Sequence, residues 1–134
     1  MDRRHFITCA AATVALPSTA RAYEAKDFNL GMWGALQATD QTIILFFRAD
    51  WSLTCQITSD LIDDLLAENP GFALPTFVDV NWDIYGPSEF AKQMQVTRRS
   101  TLIVMKNGEE QARLVNEPFE HRVRALLETA LSAE

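Results

Sequence analysis

Two side chains three residues apart carry what chemistry this chain can offer. Ser52 and Cys55 bracket Leu53 and Thr54 in "DWSLTC", directly after the apolar run "TIILFFRA". A cysteine thiolate is a nucleophile that can exchange with a disulfide. A serine hydroxyl is not appreciably ionised near neutral pH and cannot carry electrons through a disulfide. Serine is, however, among the best residues for starting a helix, because its oxygen accepts a hydrogen bond from an amide two or three positions on. Counted from Ser52 as the cap, Cys55 is the third helical residue. Unpaired amides and the helix dipole favour an anion there. Burial pushes a thiol the other way, and Asp50, if close, opposes a thiolate as well.

The rest of the cysteine inventory depends on the N-terminus. "MDRRHFITCAAATVALPSTARA" has a twin arginine (Arg3, Arg4) followed by Phe6 and Ile7, then a small-residue apolar stretch over 7–16. Pro17 breaks it, and Ala20-Arg21-Ala22 offers an A-x-A cleavage site. The Arg-Arg-x-Phe-Ile pattern resembles a bacterial twin-arginine export signal. The apolar stretch is too short to span a bilayer. Cys9 lies within the apolar stretch, where lipidation is not expected. The expected organisation is a signal peptide over 1–22 and one small domain over 23–134, exported to the periplasm with no stable membrane association after cleavage. Cys55 is then the one cysteine left. It cannot form an internal disulfide, so it is either an intermolecular or reactive thiol or a small buried hydrophobe.

The chain has 12 basic and 18 acidic residues, a net charge of −6. Loss of 1–22 removes three arginines and Asp2 and leaves −8. An acidic chain without a basic run argues against nucleic acid and anionic membrane surfaces. One cysteine and one distant histidine, His121, make no metal site. No glycine-rich phosphate loop follows a strand, and no cofactor is expected. Asp60, Asp63 and Asp64 share a helix and are read as a solvated face.

The elements that would position Ser52 and Cys55 follow from periodicity. Residues 42–47 form a continuous apolar run, expected as a strand buried on both faces. A helix is expected over 52–68, with Leu53, Ile57, Leu61, Leu65 and Leu66 at helical spacing and Asn69-Pro70-Gly71 ending it. Strands are expected over 76–81 and 101–105. Asn107-Gly108 turns the chain into a hairpin partner over 111–115. A weak helix over 28–37, a short one over 88–94 and an amphipathic one over 118–131, with Phe119, Val123, Leu126, Leu127 and Leu131 on its apolar side, complete the set. Alternating strands and helices imply parallel units, and the hairpin adds an antiparallel edge. The expected fold class is α/β, with a mixed sheet of about four strands and helices on both faces.

In order and spacing, "ILFFRADWSLTC", "FVDVNWD" and "VTRRSTLIVMKNGEE" followed by a terminal helix resemble a thioredoxin, over roughly residues 40–132. The resemblance implies a thioredoxin-like fold. It sets Trp51 before the family's Cys-x-x-Cys, Ser52 at its first cysteine and Cys55 at its second. It also implies a partner groove of Trp51, Leu53, Thr54, Arg99, Ser100 and Thr101. Three departures follow. Ser52 stands where the attacking cysteine would be. Ser100 stands at the family's cis-proline, and a cis bond before serine costs about 2.5–4 kcal/mol, so a trans bond is the default. Phe46 stands at the buried acid, and Asp79 on the next strand is the nearest candidate for its proton-relay role.

Several functions stay open on these residues. The first is a monothiol protein that handles exported proteins, by partner binding or by a mixed disulfide, without a dithiol cycle. Its partner would be an exported protein with a cysteine or disulfide, and the chain itself a monomer. A second is a one-cysteine peroxidase-like protein, since Ser-x-x-Cys also resembles the peroxiredoxin Thr/Ser-x-x-Cys. Arg48, at the position of the proline four residues before that hydroxyl, speaks against it. A third is an active thiol–disulfide oxidoreductase, if Ser52 replaces a native cysteine. Whether the chain is an enzyme turns on Cys55 alone.

Overall fold

The computed structural model describes residues 22–134. The expected signal segment lies outside these residues except for Ala22.

The apolar run becomes the centre of a five-stranded sheet ordered β1-β3-β2-β4-β5. Strand β2 (Thr42–Arg48) pairs in parallel with β3 (Thr76–Asn81) and antiparallel with β4 (Thr101–Lys106). Strand β5 (Glu109–Val115) returns from the Asn107-Gly108 turn as an antiparallel edge. Asn107 and Gly108 both take positive φ, 52° and 79°, as this kind of tight connection requires. The fifth strand, β1 (Lys26–Asp27), pairs with β3 at the other edge. Two residues cannot show an alternation, so about four strands was all that periodicity could give.

Successive β2 side chains point to opposite faces, and both faces are covered. Ile44 and Phe46 pack with Cys55, Ile62 and Leu65 of helix α2 (Leu53–Glu68) and with Val123, Leu126 and Leu127 of α5 (Glu120–Ala133). Ile43, Leu45 and Phe47 pack on the other side with Trp33 and Leu36 of α1 (Leu30–Gln37) and with Phe90 of α4 (Glu89–Gln93). Side chains of Asn29 and Ser88 cap α1 and α4 by accepting amides of Met32 and Ala91. A 3-10 turn (Pro70–Ala73) ends the α2 segment.

Two expected apolar stripes are only partly used. The core face of α2 runs through Cys55, Thr58, Ser59, Ile62 and Leu65, while Leu53 is 70% exposed and Ile57 38%. Phe119 lies at the N-cap of α5 and is also exposed, leaving Val123, Leu126, Leu127 and Ala130 as its core face. Helical spacing alone does not say where along a helix the sheet stops covering it.

A one-turn helix, α3 (Trp82–Tyr85), follows β3 directly and was not expected. The Asn81 side chain caps it by accepting the Asp83 amide. It is closed by Gly86, whose amide donates to the Trp82 carbonyl at 2.8 Å. A Cβ at Gly86 would lie 2.6 Å from that carbonyl oxygen and 3.0 Å from two indole carbons. Both the backbone and a half-buried ring would have to yield. Gly86→Ala is therefore expected to lower the unfolding free energy by about 1–3 kcal/mol in a urea titration.

Candidate functional site

The site forms where β2 ends and α2 begins. Ser52 is the N-cap of α2, with extended backbone, and its Oγ accepts the Cys55 amide at 3.3 Å. Replacing such a cap by alanine typically costs about 1 kcal/mol. Ser52 is nonetheless only 2% exposed, so its hydroxyl is committed to the helix and shielded from solvent.

Cys55 lies inside the protein. It is a free thiol with no exposed surface, packed among the apolar residues between α2 and the sheet. Its Sγ is 2.8 Å from Ser100 Oγ and accepts a weak contact from the Ala49 amide at 3.5 Å. Either partner of the sulfur–oxygen pair can donate.

Ser100 covers that sulfur from the loop before β4. The Arg99–Ser100 peptide is trans, since no described residue has a cis bond. The residue instead reaches its position with φ at +60°, a left-handed conformation uncommon outside glycine, asparagine and aspartate. Its amide donates to the Phe47 carbonyl at 2.7 Å, and its carbonyl accepts the Asn116 amide at 2.8 Å. Both backbone groups are thus tied to neighbouring segments, and this N–H has nothing left for a partner strand. Ser100 and Thr101 are 3% and 1% exposed. They form the floor beneath the surface, not its rim. The loop is braced from behind by Arg113, which donates to the Met94 and Gln95 carbonyls and pairs with Glu110 at 2.8 Å. The Arg113 hydrogen bond holds the Glu110 carboxyl below its ordinary value. That brace contributes at neutral pH and is lost as pH falls through the lowered value.

The exposed part of the site is apolar and aromatic. Trp51 is 62% exposed and Leu53 70%, with Ile57 one turn further along α2. Thr54 is half-buried between them. The Arg99 guanidinium lies over the Trp51 ring, 4.7 Å from its centroid. The Trp51 indole N–H donates to both carboxylate oxygens of Asp83, at 3.0 and 3.2 Å. The ring is thus held at its edge by Asp83 and on one face by Arg99, while much of it stays in solvent. Asp83, on α3, had no sequence signal to mark it, because α3 itself had none.

Asp79 sits across from Phe46 in the β2–β3 register, on the Cys55 side of the sheet. Its carboxylate is largely buried, with Arg48 Nη1 at 3.9 Å; the same guanidinium nitrogen donates to Asp50 at 3.2 Å. These residues line a depression of about 350 Å³ with Asp27, Asn81 and Asp83. His121 is exposed on α5, stacked on Phe119. Among the described residues no cluster of histidine, cysteine or carboxylate groups could hold a metal ion, and no helix is long and apolar enough to cross a membrane.

No protein-family model and no curated protein matches this chain. Solved structures do. Trxlp from Edwardsiella tarda is 23% identical over 78% of this chain and 98% of its own, with a TM-score of 0.66. Malassezia sympodialis thioredoxin (Mala s 13) is 16% identical over 80% and 93%, also at 0.66. A cysteine-to-serine mutant of Entamoeba histolytica thioredoxin is 24% identical over 80% and 100%, at 0.64. The chain therefore has the thioredoxin fold.

Proposed function

We propose that this thioredoxin-fold protein is exported by a twin-arginine route to the periplasm. There it takes part in thiol- and disulfide-linked handling of exported proteins, and it acts by binding a partner at the Trp51–Leu53 surface. The observation that carries the reading is the contrast at one helix start. The thiol has no exposed surface and is covered by Ser100, whereas two large apolar side chains beside it stand in solvent. Exposed aromatics rimmed by arginine are the residue types that anchor protein interfaces. The export signal expected over 1–22 supplies the compartment, and the net charge of the processed chain favours a neutral or basic partner. The protein works as a monomer without a cofactor.

The strained Ser100 corner supports a second reading. A residue held at φ +60° by its surroundings can swing away when those contacts are replaced. The Cys55 thiolate would then attack one sulfur of a partner disulfide, breaking that S–S bond, forming the mixed disulfide and releasing the partner's other sulfur as a thiol, with Asp79 the carboxylate on that face of the sheet. In neither reading does a dithiol cycle operate, because Ser52 contributes no second thiol.

Partner capture separates the two. Tagged protein recovered from the periplasm with its partner is compared with a Cys55→Ala variant under reducing and non-reducing conditions. Binding at the surface leaves capture intact within about twofold in Cys55→Ala. Loss of capture in that variant overturns surface binding in favour of the mixed disulfide.

A further inference from the structure

Asp63, one of three acidic residues close together on α2, is set apart by what it holds. Asp60 and Asp64 are exposed, whereas Asp63 is half-buried. Its Oδ1 accepts the Tyr23 amide at 3.0 Å, and its two oxygens accept the Ala22 amide at 3.1 and 3.2 Å. The Tyr23 ring is buried against Phe77 of β3, with centroids 5.0 Å apart. Three residues later the chain adds β1 to the sheet edge beside β3. The carboxylate thus gathers the chain at the peptide bond where the A-x-A motif ends.

Hydrolysis of the Ala22–Tyr23 bond by a signal peptidase consumes one water. Ala22 leaves with a carboxylate, and the Tyr23 nitrogen gains protons and becomes an ammonium. That nitrogen is already at hydrogen-bond distance from Asp63. We propose that Asp63 is the receptor for the mature N-terminus. Processing replaces amide hydrogen bonds with an ion pair that fastens Tyr23 and the edge strand β1 to α2. The cleavage rests on the export reading above, and the docking rests on the geometry of Asp63. Charge-assisted hydrogen bonds of this kind are about twice as strong as neutral ones.

The test is carried out on mature protein from the periplasm, whose intact mass is expected to begin at Tyr23. Its α-amine is acetylated selectively near pH 6.5 in the unfolded chain, where it is free of Asp63 and lysines are far more fully protonated than an α-amine of pKa about 8, and the protein is then refolded. Acetylation is expected to lower Tm by about 3 °C in the native protein and to have no effect in Asp63→Asn. Should that variant not fold, the native protein still decides: the shift must shrink at about 1 M salt, where the Debye length falls to about 3 Å. An equal shift in both proteins, a shift unaffected by salt, or no shift overturns the docking. A periplasmic chain that begins elsewhere overturns the cleavage instead. Protein started at Tyr23 by cutting a fusion then tests Asp63 on its own.

Discussion

Iodoacetamide will modify Cys55 in the folded protein at least about 10³-fold more slowly than in the unfolded chain. Its Sγ has no exposed surface and lies 2.8 Å from Ser100 Oγ, beneath a loop whose backbone is bonded to Phe47 and Asn116. A reagent must wait for that corner to open. An opening that costs about 4 kcal/mol gives the stated protection. The Ser100→Gly variant separates this cover from global stability. Glycine adopts φ +60° without strain, so the fold should lose no stability through the backbone, and can gain about 1 kcal/mol. Yet the hydroxyl over the sulfur is gone, so alkylation should accelerate. A stable variant with a faster thiol identifies Ser100 as the cover. Rapid modification of the native protein would mean that Cys55 is presented for chemistry.

Trp51→Ala will weaken the partner complex by roughly 30-fold or more, the loss expected of an aromatic anchor worth about 2 kcal/mol. Much of the ring is in solvent, its position fixed by the Asp83 carboxylate on one side and the Arg99 guanidinium on its face. A side chain held in this way has already lost freedom that binding would otherwise have to remove. Because the ring is not part of either core cluster, the variant's own stability should change by less than about 1 kcal/mol. Titration of the purified partner against both proteins by calorimetry checks the ratio. Equal affinities would remove Trp51 from the interface. A comparable loss in unfolding free energy would mark it as a structural residue.

Much of the scaffold could be read in advance because it rests on long patterns. Strand β2 is an unbroken apolar run, and its burial on both faces follows from that alone. Helix α2 announced its start at Ser52 and its end at Asn69-Pro70. The short pieces left no such trace: β1 has two residues and α3 four, and both depend on contacts with β3 that lie outside their own sequence. At the site, helix spacing placed Ser52 under Cys55 correctly. It could not tell that Leu53 and Ile57 would fall beyond the reach of the sheet and remain exposed. Nor could it bring Ser100, 45 residues away, onto the sulfur. Asp63 gives the sharpest contrast. Among its acidic neighbours it looked like a solvated side chain, and only the path of Ala22 and Tyr23 across α2 gives it something to hold.

Surface binding with a closed thiol is the proposed mode of action. Its most direct test is the intact mass of mature protein taken from its own periplasm without reductant, run beside Cys55→Ala on a non-reducing gel. An unmodified free thiol and identical single bands for the two proteins are expected. A mass adduct, or a higher band that needs Cys55 and disappears with reductant, would contradict it and make the mixed disulfide the working state.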